Sequence, residues 1–158
     1  MATDTQKSYI QKIRELPANL TEVIKNLSEE QLTTVYIERE WTVAQNIHHI
    51  ADANFNKYNL IRQILTEEEP ELGGFKEEMF ANFTDARHKS VDLSLGIIEG
   101  LHGRAVLLLE SLSGSDWQKA GVSSYHGRLT VEAIVETFST HGQRHIDQIK
   151  KTLEASKR

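Results

Sequence analysis

His141 and His145 lie four residues apart in the stretch Phe138-Ser139-Thr140-His141-Gly142-Gln143-Arg144-His145-Ile146. On a helix that spacing is about 400° of rotation, so the two imidazoles stand only ~40° apart, one turn above each other. Two good metal ligands then share one face. A second pair, His48 and His49, can complete a three-nitrogen site that leaves at least one position open for chemistry. Adjacent residues point about 100° apart, so the two cannot easily serve a single centre together. His49 shares its side with Asn46, Ala53, Asn56 and Leu60, a mixed lining; His48 shares its side with Phe55. Periodicity does not choose between them.

The rest of the composition narrows the chemistry. The chain has 158 residues and no cysteine, which removes disulfides, thiolate metal sites and cysteine nucleophiles. A metal must be held by histidine, carboxylate or backbone oxygen, and a thiol must arrive with a substrate. The net charge of −5, from 18 Lys+Arg against 23 Asp+Glu, argues against nucleic acid as the main partner. The amino terminus lacks the basic start and apolar run of a signal peptide, and the apolar stretches are far short of a membrane span, so a cytoplasmic location is expected. His-Glu-x-x-His, the Gly-x-Ser-x-Gly elbow and a phosphate-cradling glycine loop are all missing. His102 lies near an inward face; His88 and His126 sit near element ends, where solvation is the simpler reading.

The elements that must position these residues are helical, with apolar residues recurring at a period near 3.6. A first helical region is expected from about Thr5 to Leu27, kinked or divided at Pro17. Ser28 to Leu32 reads as a short capped turn. Thr42 caps a second helix reaching about Leu65, and Pro70, Gly73 and Gly74 end it. A loosely helical link follows to about Asn82. The third helix runs from Asp85 or Ser90 to about Leu112, residues 113–128 form a connection, and Thr130 opens a fourth helix to about Ala155. On the fourth helix Val131, Ile134, Phe138, Ile149 and Leu153 define the inward face, and His141 and His145 fall on it. A buried imidazole needs a partner, and a shared metal satisfies both at once. The expectation is one all-α domain over residues 1–158: a four-helix bundle with long connections and a metal site between helices.

Several blocks together resemble the DinB superfamily, and most closely its YfiT-like branch. They are Trp41-Thr42-Val43-Ala44-Gln45-Asn46-Ile47-His48-His49-Ile50-Ala51-Asp52, then Asn56-Lys57-Tyr58, the Leu65 to Pro70 segment, Leu101-His102-Gly103-Arg104, and His141 to Ile146. The resemblance spans nearly the whole chain; its specificity lies in the ordered set. It implies an up-down-down-up bundle and a divalent metal, nickel or zinc, on three histidines. The second His of the pair is the ligand in that pattern, which gives His49, His141 and His145. This chain departs from the pattern at Arg144 and Gln148, where relatives often carry further histidines, and at Thr140, where an aromatic residue is common. These departures bear on substrate pocket and metal preference.

Three imidazoles on one metal leave room for water or a thiol, and the metal lowers the pKa of either. The resemblance implies two activities: transfer of a low-molecular-weight thiol such as bacillithiol to an electrophile, ranked narrowly first, and metal-dependent hydrolysis. A non-catalytic metal-binding, stress-response role is the reading from a different class. Gln45 and Asp52 are candidates to orient a ligand imidazole. Asn56, Tyr58 and Arg104 are candidates to line the pocket, with Arg104 on a substrate carboxylate. A small-molecule substrate and a homodimer are expected.

Overall fold

The structure is a computed structural model and describes residues 2–157. Four long helices carry it: α1 (Asp4–Ile24), α3 (Val43–Thr66), α5 (Asp92–Glu110) and α7 (Val131–Ala155). Short elements fill the connections: α2 (Glu29–Thr33), β1 (Glu71–Leu72), α4 (Glu77–Phe80), a 3-10 turn at Asp85–Arg87, α6 (Gly114–Gln118), β2 (Ala120–Ser123) and β3 (Gly127–Thr130). Capping boxes start α1 at Thr3 with Gln6 and α3 at Thr42 with Gln45, while Thr130 caps α7 alone. No helix among the described residues is long and apolar enough to cross a membrane.

The core divides into two apolar clusters, and the order in which each helix meets them gives its direction. One cluster contains Ile13, Ile61, Leu109 and Phe138; the other contains Leu20, Ile47, Ile98 and Ile149. Helices α1 and α7 run from the first cluster to the second, and α3 and α5 run the opposite way. The bundle is therefore up-down-down-up. Helices α1 and α3 each pack on both α5 and α7, so α1 faces α3 across a diagonal. Because α3 and α5 are parallel neighbours, residues 67–91 must return along the whole bundle. Between the apolar clusters lie buried polar side chains, including His49, Asn54, His102, Ser139 and His141.

The all-α expectation holds for the bundle, with a small sheet added in its connections. Strand β2 pairs in parallel with β1 and antiparallel with β3, tying the crossover to the segment entering α7. Strands of two to four residues are too short to display an alternating pattern. Ser123 pairs with Gly127 across a three-residue loop, and Gly127 takes a φ of +67°, a conformation that suits glycine.

Of the two outcomes expected at Pro17, a kink or a division, the division does not occur: α1 runs through it as one helix. A proline deprives the carbonyl four residues earlier, here that of Ile13, of its helical donor. Buried His102 supplies the hydrogen instead: its Nδ1 donates to Ile13 O at 2.7 Å. Its Nε2 accepts from Asn54 Nδ2 at 2.9 Å, so both partners hold the ring in one neutral tautomer. Burial pushes this imidazole down to about 4, against the opposing pull of the Ile13 bond. The unfolded chain protonates His102 near 6.5, the folded one only near 4, so acid favours unfolding in between. Stability from this group is complete above pH 6.5 and is lost as pH falls toward 4, by roughly 3 kcal/mol. Denaturant melts between pH 7.5 and 4 should show this loss. Pro17→Ala combined with His102→Leu, which restores an N–H to Ile13 O, should remove the His102 share of the slope.

Candidate metal centre

Helices α3 and α7 are antiparallel neighbours, which brings the start of α3 against the second half of α7. His49 and His141 are buried there and His145 is half-buried. His141 Nε2 lies 3.1 Å from His49 Nε2 and 3.2 Å from His145 Nε2. One ligand atom from each of the three lies within 4.8 Å of both others. Nitrogens sharing one zinc at its usual bond length and tetrahedral angle are about 3.3 Å apart. The two spacings at His141 match that value, and the third stays within 4.8 Å, so the cluster suits a single small cation.

Hydrogen bonding sets the direction of at least one lone pair. Asn46 Nδ2 donates to Thr42 O at 3.0 Å, which leaves Asn46 Oδ1 facing His145. His145 Nδ1 donates to that oxygen at 2.8 Å, so the neutral ring presents an unprotonated Nε2 to the cluster. His141 Nε2 can donate a proton to one neighbour at most, whereas three lone pairs on one cation are satisfied together. The Nδ1 atoms of His49 and His141 are buried without a hydrogen-bond partner, so only His145 has its far nitrogen anchored by protein.

Electrostatics keep the rings neutral. Burial, then the neighbouring His145, push His49 down to about 3. Burial, then Lys57, push His141 to about 2, and burial, then Arg144, push His145 to about 4. Neutral imidazole is the form that binds metal, so at neutral pH the cluster has no ligand protons to expel.

Trp41 closes one side: its ring centroid is 4.7 Å from that of His49, and it stacks on His145 at 6.1 Å. Phe75 lies 5.9 Å from His49 on another side. Glu77, at the start of α4, places Oε2 3.8 Å from His49 Nε2. Two cavities reach the cluster, and both touch His141, Arg144 and Glu77. One, of about 360 Å³, is bordered by Trp41 and His145; the other, of about 870 Å³, extends past Asn56 and Lys57 toward the sheet.

The structure brings His49, His141 and His145 together and sends the other candidates elsewhere. His48 spends both nitrogens: Nε2 donates to His88 O at 2.9 Å and Nδ1 accepts from Ser94 Oγ at 2.7 Å. It pins the end of the crossover to α3 and α5. Gln45 does not orient a ligand; its Oε1 accepts from Thr42 N and its Nε2 donates to Ala81 O. Asp52 does not either: its carboxyl is raised by burial and by Asp85, with His48 opposing, on the side of α3 away from the cluster. Tyr58 and Arg104 line a separate groove between α3 and α5 with Asp52, because α5 packs on that flank of α3. Arg104 therefore cannot meet a substrate at the cluster. Asn56 does line the larger cavity. His88 and His126 are exposed, and His102, on α5, is committed to the Ile13 carbonyl of α1.

Sequence reasoning missed Asn46 as the anchor of His145, and it missed Glu77 and Lys57. Asn46 stands in the first turn of α3, three residues before His49 and on its side, and that was its available signal. Glu77 sits in the crossover, whose path no periodicity reports.

The same order of elements recurs in other proteins. The model of the DinB superfamily matches residues 12–149. A Geobacillus thermodenitrificans protein named "Putative metal-dependent hydrolase" is 37% identical over 144 residues, covering 90% of this chain and 81% of its own. A Bacillus cereus protein with the same name is 37% identical over 142 residues, covering 90% and 82%. Among solved structures, YfiT from Bacillus subtilis, described as "a probable metal-dependent hydrolase with an unusual four-helix bundle topology", superposes with a TM-score of 0.90 at 27% identity. That match covers 96% of this chain and 87% of YfiT. With a family model spanning all four long helices and a bundle of the same topology, this chain belongs to the DinB superfamily, on its YfiT-like side.

Proposed function

We propose that this chain is a metal-dependent enzyme in which His49, His141 and His145 hold a divalent ion, zinc or nickel. The observation that carries this is the meeting of three neutral imidazoles at one point, with His145 Nε2 held unprotonated by Asn46. A bound ion supplies Lewis acidity, which brings the pKa of a water or thiol nucleophile toward neutrality. The protein's own residues do the rest. Glu77 Oε2 stands where it can accept the nucleophile's proton. Asn46 keeps His145 in register, and Trp41 and Phe75 exclude bulk water from the His49 side. The larger cavity receives the substrate.

Water as the nucleophile makes the reaction a hydrolysis, the reading favoured by the relatives' names. A second reading, transfer of a low-molecular-weight thiol to an electrophile, is favoured by a different observation. Two adjoining cavities, one by Trp41 and one toward the sheet, reach the same cluster, which gives room for two organic substrates. The test is metal stoichiometry on tag-free protein, followed by two assays on the loaded form. Cleavage of p-nitrophenyl acetate without thiol supports hydrolysis; metal-dependent conjugation of a thiol to monobromobimane supports transfer. Bound metal with neither activity reduces the role to metal binding. In either active case Glu77→Gln should keep the metal while lowering kcat by about 10²-fold or more, the usual scale for a lost proton acceptor.

A further inference from the structure

The larger cavity has a charge balance opposite to that of the protein. The chain carries a net −5, yet the charged residues lining this cavity are Lys57, Lys76 and Arg144 against the single carboxylate of Glu77. Among the described residues, neither Lys57 nor Arg144 makes an ion pair. The Lys57 ammonium has only a long contact, 3.5 Å, to Ala53 O. That contact also locates it. Helical side chains lean toward the amino terminus, so Nζ lies at the level of Ala53, one turn (about 5.4 Å) beyond His49. Arg144 stands on α7 between the two histidines of that helix. Burial, and then the charge of Arg144, lower Lys57 to about 8, with Glu77 opposing. Two like charges lining one cavity repel each other, neither is held in an ion pair, and Glu77 offsets the repulsion only in part; an anion between them removes the rest. Beyond them Leu60, Leu129 and Ile134 give the cavity an apolar wall, and its volume of about 870 Å³ suits a small organic molecule.

We propose that this cavity is a subsite for a small organic acid, whose carboxylate lies between Lys57 and Arg144 while its reacting group, about one helical turn away, meets the histidine cluster. The second half of this assignment rests on the proposed metal function; the carboxylate subsite itself does not.

Two probes separate the two halves. N-acetylcysteine carries a thiol and a carboxylate; N-acetylcysteamine carries the same thiol and amide without the carboxylate. Their affinities are measured by calorimetry on metal-free and zinc-loaded protein, for the natural sequence, Lys57→Gln and Arg144→Gln. The expected result is a preference of about tenfold for N-acetylcysteine in both forms, falling to within twofold in each variant. Equal affinities for the two probes in the natural sequence overturn the subsite, whatever zinc does. A tenfold preference that survives in both variants also overturns it. A preference lost in the variants, with no gain in affinity on loading zinc, upholds the subsite and removes the thiol from the metal.

Discussion

His141→Ala is expected to leave the protein folded and unable to hold its metal. The Nε2 of His141 lies within hydrogen-bond distance of the Nε2 of both others, at 3.1 Å and 3.2 Å. Removing it leaves two ligands of the three, His49 and His145, and opens a cavity that water can fill. Losing an outer partner of a metal ligand typically costs 10- to 100-fold in affinity, so losing the central ligand should cost about a thousandfold or more. Hydrolysis and thiol conjugation should both fall to background. The matched control is His48→Ala, adjacent in sequence to a proposed ligand. It should keep stoichiometric metal but lose about 1–3 kcal/mol of stability, because Ser94 Oγ and His88 O lose a buried partner. Metal analysis and denaturant melts on tag-free protein measure both quantities. Metal retained at unchanged affinity by His141→Ala, or lost by His48→Ala, would falsify the assignment.

Gly142→Val should destabilise the fold and disturb the site with it. Gly142 is buried where α7 crosses α1, and a Cβ placed on it would lie 2.3 Å from Leu16 Cδ2 and 3.0 Å from Leu16 Cγ. Leu16 is itself only 5% exposed, so it has little room to turn away. Overpacking of this kind costs about 1–3 kcal/mol, and valine's bulk puts the expectation at the upper end. For a chain of this length that is a drop in Tm of roughly 6–12 °C. Alanine should cost less, since its better helix propensity returns about 1 kcal/mol. The two positions should couple: Leu16→Ala in the Gly142→Val background should cost distinctly less than Leu16→Ala alone. Additive effects would mean that α1 yields to the new side chain without strain. Because Gly142 adjoins His141, metal affinity in Gly142→Val should fall as well, while Leu16→Ala alone should leave it unchanged.

Much of this protein is written in one-dimensional patterns. The period of Val131, Ile134, Phe138 and Ile149 marks the inward side of α7 and puts His141 and His145 on it. The capping residues Thr42 and Thr130 mark where α3 and α7 begin, and the observed starts agree. The missing cysteine limits any metal to nitrogen and oxygen ligands. Such patterns report which side of an element is buried, because burial repeats with the helix. They do not report which buried side chains from different helices meet. His48 and His49 are both buried, and only the position of α7 on one flank of α3 and α5 on the other separates ligand candidate from structural tether. The same division sends Arg104 and Tyr58 away from the cluster and brings Lys57 and Glu77 to it. Pro17 looked like a break until a histidine 85 positions later, His102, supplied the hydrogen its helix lacked.

The chemistry claimed for this chain needs one cation seated among the side-chain nitrogens of residues 49, 141 and 145. Residue types and their intervals nominated the members of that set; the antiparallel seating of α3 against α7 assembled them. Convergence is a property of three dimensions, created by packing between segments nearly a hundred residues apart, and no local interval along the chain encodes it.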